Sequence, residues 1–370
     1  MKKAPSLLFL DQDLDPIVDC DYWTEFYCTR RLQNPGDFAL SMPLSRARHF
    51  YPQPGGFIYT SGLSGYTGLI AEVTCAEDLI GQGTMTIRGH EAKALLASRV
   101  VVPSPPGQKL TLSGPAEQVM IELIRRCCGD IAFPERRFAK LELPLGGSAG
   151  KNVYLSCFYS NLLDELCKLG KESDSGFSLD FDAAKRLLVF WYIGGTDRSQ
   201  GQNISGRALF SGRFDTALET RSTRTSRGTA TLAYMLGAAG ESGRLVLPVW
   251  QGDLPLPAER IEKAFDARAV SDPEILQALG IQKLGALAPS FPIEIDYPPN
   301  APLVEGRDFF LGDLCSVEAQ GTWLDARIEG IEEHWDKAGY GMRIWFGNPL
   351  PLALKSQRDE TTAMWNALQA

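Results

Sequence analysis

The sequence has little of what usually signals catalysis, metal binding or membrane insertion. It carries only 3 histidines, His49, His90 and His334, too far apart to suggest a metal cluster. No Cys-x-x-C pair occurs among the 8 cysteines. Cys20, Cys28, Cys75, the vicinal Cys127 and Cys128, Cys157, Cys167 and Cys315 are too sparse and irregular for a disulfide scaffold. They read as small buried hydrophobes in a reducing compartment. Long apolar runs are also missing. Leu7–Leu10 is cut off by Asp11, too short for a signal sequence or a membrane span, so the chain is expected to stay in the cytosol or to leave it without a signal. No internal repeat of 20–50 residues is visible. Positive charge is not in surplus: 37 Lys and Arg against 45 Asp and Glu leave a net charge of −8, which argues against a broad basic surface for nucleic acid.

What is present is an ordinary folding chain. Its 370 residues suggest two or three domains at roughly 150 residues each. Hydrophobic residues at 44% and aromatics at 10% suffice for a sizeable core. The first hundred residues read as strands: Ser6–Leu10, Asp21–Arg30, Phe38–Met42, Gly68–Thr74 and Thr84–Arg88. Asn34-Pro35-Gly36-Asp37 is a turn, with proline fixing φ and glycine expected at positive φ. A short helix over His90–Ser98 precedes Val100-Val101-Val102. A helix through Val119, Leu123 and Ile124 should end near Cys128-Gly129, and Asn161–Lys171 is amphipathic. Phe177–Asp182 and Arg186–Ile193 predict a hairpin whose second strand, apolar without alternation, should be covered on both faces. Further strands are expected over Ala208–Met235, helices over Pro257–Ala267 and Pro273–Leu279, and a three-strand meander over Gly312–Glu318, Gly321–Ile331 and Gly341–Gly347. The last twenty residues are polar with isolated Met364 and Trp365, as in a loosely docked tail.

Several constellations imitate active sites. Asp11, Asp13 and Asp15 suggest a calcium loop, but Pro16 and Tyr22 stand where its glycine and glutamate belong, so turn chemistry explains them. Glu332-Glu333-His334 lacks a second histidine and lies in expected β structure. Gly146–Gly150 lacks the Gly-Lys-Ser/Thr ending of a phosphate cradle, and Gly62-Leu63-Ser64-Gly65 misses a nucleophile elbow by one residue. Arg221, Arg224 and Arg227 alternate faces on a strand and have no stacking aromatic before Tyr234, so they read as a solvated or inter-subunit face.

Longer patterns are more specific. Val189–Ile193 running into Gly194-Gly195-Thr196-Asp197-Arg198-Ser199, then Ala208–Ser211, then Gly306–Leu314 with Gly312-Asp313, resemble the tail-hub proteins of long-tailed bacteriophages. Pro35-Gly36-Asp37-Phe38 and the run from Ile87 through Arg99 to Pro103 are similar to the same family. The likeness covers most of residues 1–350. It marks Pro35, Gly36, Asp37, Phe38, Arg99, Asp197, Arg198, Ser199, Gly312 and Asp313 as structural motif residues, with no catalytic, cofactor or metal site.

The resemblance implies a β-rich α+β, baseplate-hub-like fold: two tube-forming β-barrel domains with inserted smaller α/β domains. On that pattern residues 1–103 form the first barrel and 104–175 a helix-containing insertion. Residues 176–255 supply strands to the barrels, 256–290 a helical insertion, 291–350 the meander of the second barrel, and 351–370 a tail. The implied function is a non-enzymatic homotrimer closing the distal end of the tail tube, a virion part assembled in the host bacterial cytoplasm. Its implied partners are the distal tail protein, the tape measure protein and a central fibre or spike, with DNA passing through unbound and no membrane insertion. Larger members continue into a lysin or fibre domain, whereas the hub pattern here stops near Phe346-Gly347. Net negative charge suits a lumen that repels phosphate. The competing readings are a cell-wall-degrading or carbohydrate-active tail enzyme and a receptor-binding tail-tip protein.

Overall fold

The computed structural model describes residues 4–347 apart from 48–49, 62–64, 78–82, 105–106, 205, 224–227, 241–242, 269, 286 and 288–291. Its N-terminal strands are β1 (Leu7–Leu10), β2 (Pro16–Cys20), β3 (Glu25–Arg31), β4 (Asp37–Pro43), β5 (Phe57–Thr60), β6 (Tyr66–Glu77) and β7 (Gly83–Glu91), with a single helical turn, α1 (Leu44–Ala47), after β4. They pair in the order β3-β4-β7-β6-β5-β1-β2. Strict alternation builds this half: along β4, Phe38, Leu40 and Met42 turn inward. The sheet is strongly curled. Strands β3 and β6 are separated by two others, so a flat sheet would hold them about 14 Å apart, yet Phe26 meets Tyr66 at 6.4 Å between ring centroids. The indole N–H of Trp23 also reaches the carbonyl of Pro5, at 3.2 Å.

The middle of the chain forms a helix-bearing unit. It contains β8 (Leu110–Pro115), α2 (Ala116–Cys128), β9 (Leu141–Glu142), β10 (Asn152–Cys157), α3 (Leu162–Ser173), β11 (Gly176–Asp182) and β12 (Leu187–Ile193). Asn161 caps α3 by accepting from the N–H groups of Leu163 and Asp164. β11 and β12 form the expected hairpin, but β12 is covered on one side only at its end, where Trp191 is 55% exposed. The core joins Met120, Leu123, Ile124, Leu166 and Phe190 to Leu96 and Phe57 from the first half. The 310 turn Ala92–Ser98 makes that connection, and Val100 contributes one isolated bridge in place of a strand.

The last third returns to the large sheet after an excursion. β13 (Leu209–Phe210) and β14 (Glu219–Ser222) lead into a small satellite: β15 (Leu232–Gly240), β16 (Gly243–Trp250) and β17 (Glu262–Asp266), covered on one face by α4 (Pro273–Gly285). β18 (Ile293–Tyr297), β19 (Leu314–Ala319), β20 (Thr322–Asp336) and β21 (Gly339–Phe346) then complete a 13-stranded sheet. The meander is as expected. Of the strands between residues 176 and 255, β13 and β14 join the large sheet, whereas β11, β12 and β9 form a small sheet in the order β11-β12-β9, and β15 lies between β16 and β17 in another. Pro257–Ala267 is not a helix. After a 310 turn at Pro257–Glu259, Phe265 and Ala267, two residues apart, pack against the satellite core and β17 pairs parallel to β15. Period-two burial overrides the helical propensity of that segment.

One strand ties the two halves together. The first part of β20 pairs with β19 and its second part with β3, while β21 pairs along its length from Ile328 to Asp336. Ile328 and Ile331 enter the second core with Phe210, Phe309 and Phe346, and Trp335 enters the first, stacked on Phe26 at 5.6 Å. The second half curls as well, because Phe210 of β13 meets Phe346 of β21 at 5.1 Å. Among the described residues no helix is long and apolar enough to cross a membrane. Seven cysteines are buried, as expected, and Cys75 is exposed.

Candidate functional site

The motif residues gather at the seam between the halves and the middle unit. Asp313 is 2% exposed and acts as a three-way clamp. Its Oδ1 accepts from the backbone N–H of Thr196 at 2.8 Å, and its Oδ2 accepts from Arg198 Nε at 2.6 Å and from the N–H of Phe310 at 3.0 Å. The backbones pair too: Leu314 N donates to Thr196 O and Arg198 N to Leu314 O. Gly195 and Gly312 lie so close that a Cβ on Gly195, at φ +70°, would stand 1.8 Å from the Gly312 carbonyl oxygen. Asp197 closes its own turn on the Ser199 N–H, and that bond holds its carboxyl below the usual range. Arg327 caps the seam, donating to Asp174 of the α3 terminus and to the carbonyls of Gly194 and Gly312.

A second clamp holds the other motif. Glu91 Oε2 accepts from the N–H groups of Gly36, at 2.6 Å, and Arg31, at 3.1 Å, and lies 3.4 Å from Lys93 Nζ. Lys93 is 1% exposed and donates to the carbonyls of Arg31 and Phe177, so it joins β3, the 310 turn and β11. Burial pushes the Glu91 carboxyl up, and Lys93 with the two backbone donors pulls it back. Gly36 does not take positive φ. It is required for space, since a Cβ would lie 1.9 Å from the Thr29 carbonyl oxygen. Asp37 pairs with His90 at 2.7 Å. Phe38 packs where only glycine fits, its ring 2.7 Å from a Cβ built on Gly68 and 2.5 Å from one on Gly89. Pro35 is half-buried in the same turn. Arg99 belongs to neither clamp: its carbonyl accepts from Leu162, and its guanidinium reaches Ser98.

Between the clamps lies an open cavity of about 630 Å³ bordered by Arg30, Lys93, Arg198, Glu305, Asp180 and Tyr192. Arg30 bridges Glu305 at 2.8 Å and Glu333 at 2.9 Å. Burial opposes its charge, but the two carboxylates outweigh that cost and hold its pKa well above the usual guanidinium value. Arg198 stacks its guanidinium 5.5 Å from the Phe310 ring. The cavity's cations are thus committed to internal carboxylates, and the arrangement positions segments of chain rather than a nucleophile and its base. Among the described residues no three His, Cys, Asp or Glu side chains are placed to hold a metal. Asp11 accepts from the N–H groups of Asp13 and Asp15, the turn chemistry expected of it. Arg221 pairs with Glu219, while Arg224, Arg227 and Gly62–Ser64 lie outside the described residues.

Sequence reasoning missed Arg30, Glu305, Glu333, Arg327 and Glu329. Glu329 borders a second cavity of about 490 Å³ with Lys171, Asp174 and Gln282, and its Oε2 is sealed from solvent without a hydrogen-bond partner. Burial, with help from Asp174, pushes its carboxyl up to about 7. Because the folded value exceeds the ordinary 4.5, the folded chain holds a proton the unfolded chain has lost between those values. Stability from this group is therefore full below the lower value and lost as pH rises through the upper one. Glu329→Gln should raise thermal stability at pH 8 by about 1–2 kcal/mol and leave it unchanged at pH 4, read from melting curves at both.

The comparisons agree with this architecture. The family model described as Siphovirus ReqiPepy6 Gp37-like protein matches residues 7–348. The chain belongs to that family. Three solved structures share the family member's fold. A prophage MuSo2 43 kDa tail protein from Shewanella oneidensis aligns at TM-score 0.59 and 16% identity, covering 92% of this chain and 98% of that one. A tail protein from Neisseria meningitidis aligns at TM-score 0.58 and 11% identity, covering 94% and 97%. The prophage tail protein gp18 from Listeria monocytogenes aligns at TM-score 0.55 and 11% identity, covering 97% and 99%. No match was found among curated protein sequences.

Proposed function

We propose that this chain is a structural subunit of a siphophage tail and that three copies close into the hub at the distal end of the tail tube. The observation that carries the reading is β20, one strand shared by two curled half-sheets. Two such halves per chain would give a trimer six similar wall segments around one axis, the arrangement expected of a ring that meets a sixfold tube on one side and a threefold tip on the other. The half-sheets are the counterparts of the two barrel domains, with the middle unit and the satellite as insertions. The family match and the fold shared with prophage tail proteins support a place in the virion tail. The clamps built from Asp313 and Glu91 suit a rigid wall and serve no catalytic step.

In this reading the ring sits beneath the distal tail protein, holds the end of the tape measure protein and carries a fibre or spike. DNA passes through without binding. The net charge of −8 favours an acidic lumen, which repels phosphate over the roughly 8 Å that physiological salt leaves unscreened. Deleting the gene should leave DNA-filled heads without finished tails, and mass spectrometry of purified virions should find the chain at low, fixed copy number. Normal tails after deletion, or virions without the chain, would overturn the proposal.

A further inference from the structure

The cavity between the two clamps is unbalanced in charge. Among the described residues, five carboxylates and three cations line it. Each cation is spent on one of those carboxylates: Arg30 on Glu305, Lys93 on Glu91 and Arg198 on Asp313. Asp180 of β11 and Glu117 of α2 are left over. The Asp180 carboxylate accepts from the Ser178 hydroxyl at 2.6 Å, and that of Glu117 from the backbone N–H of Ala149 at 3.0 Å. Neither has a cation at ion-pair distance among the described residues. Burial pushes the Asp180 carboxyl up, against the pull of Ser178, Lys93 and Arg30. A carboxylate already stripped of water is attracted more strongly to a cation brought beside it than one in bulk solvent.

The same wall holds polar atoms with nothing to bond. The phenol oxygen of Tyr66, a residue 2% exposed, has no hydrogen-bond partner, and neither has that of Tyr192 or Oε2 of Glu305. Arg30 Nε is unpartnered as well. Such atoms are rare in folded chains, and here four of them belong to residues around one cavity. Their chemistry is informative. Tyr66, Tyr192 and Glu305 offer oxygens that accept, as a cation requires. Arg30 Nε only donates, so it requires an acceptor, which a peptide carbonyl supplies and a free amine does not.

We propose that this cavity receives an arginine or lysine side chain carried on a peptide segment of another chain, its cation paired with Asp180 and Glu117 and a backbone carbonyl turned to Arg30. The volume of about 630 Å³ lies within the roughly 300–1,000 Å³ of ordinary ligand pockets, enough for one long side chain and its neighbouring peptide groups. The inference is independent of the tail-hub reading, because it concerns what a single copy binds.

The test titrates the full chain, by calorimetry in about 0.15 M salt, with acetyl-Gly-Arg-Gly-amide, acetyl-Gly-Lys-Gly-amide, acetyl-Gly-Gln-Gly-amide and agmatine. The Arg or the Lys peptide should bind one per chain with Kd below about 1 mM, and the Gln peptide should not. Asp180→Asn and Glu117→Gln should each weaken binding about tenfold, whereas Asp253→Asn, an exposed carboxylate after β16, should leave it unchanged. Hydrogen exchange of the wild-type chain locates the site without any substitution: the bound peptide should slow exchange within residues 176–182 several-fold. No binding to the wild-type chain, or protection confined to other segments, would overturn the proposal. Equal weakening by all three substitutions would overturn it too, as general attraction to an acidic chain. Agmatine binding as tightly as the Arg peptide would overturn the peptide in favour of a free amine.

Discussion

Asp313→Ala is expected to destabilise the chain by about 3–5 kcal/mol, the usual cost of removing one partner from a buried, hydrogen-bonded ion pair. Three donors lose their acceptor at once: the N–H groups of Thr196 and Phe310 and the guanidinium of Arg198, whose side chain is only 16% exposed. Asp313→Asn should cost less, since its amide oxygen still accepts from the backbone while the charge on Arg198 goes unmatched. The pair Arg198→Met with Asp313→Asn should recover part of the loss, because no unpaired charge then remains buried. Urea unfolding of the four proteins measures the coupling. Additive losses from the two single changes would show that the two sites do not interact.

Lys93→Met should be nearly as damaging, about 3 kcal/mol at pH 8, through the charge it strands on Glu91. The loss should shrink in acid. Burial already raises the Glu91 pKa, and without Lys93 it rises further, so the buried carboxyl takes up a proton on moderate acidification and becomes a neutral hydrogen-bonding group. Glu91→Gln added to Lys93→Met should restore stability at pH 8, as the amide oxygen can still accept from Gly36 and Arg31. Unfolding curves at pH 5 and pH 8 for the single and double variants give the sign directly. A pH-independent loss would mean that Lys93 acts through packing against Phe177, whose ring centroid lies 5.4 Å from its Nζ.

Much of the strand content was legible because it depends on near neighbours. The turn at Asn34–Asp37 marked Phe38–Met42 as the strand that follows it, and turn residues bounded the meander ending at Gly347. The order of strands was not legible, because pairing β20 to β3 joins residues some 300 positions apart and nothing local to Arg30 names Glu305 or Glu333 as partners. The motif residues tell the same story. Asp197-Arg198-Ser199 and Gly312-Asp313 stood out as separate turns, yet their meaning is the contact between them, 115 positions apart for Arg198 and Asp313. Gly36 was visible as a turn glycine, but the reason for it, the nearby Thr29 carbonyl, is a tertiary fact. The segment Pro257–Ala267 misled because its local preference is helical, whereas β15 offered an open edge for β17. Residues 351–370, expected as a loosely docked tail, lie outside the described residues.

Cryo-electron microscopy of intact virions tests the hub assignment most directly. The expected result is a threefold ring of this chain at the distal end of the tail tube, with the two half-sheets of each copy forming neighbouring wall segments and acidic side chains toward the channel. Density for the chain elsewhere in the particle, or a single copy at the tip with no ring, would contradict it.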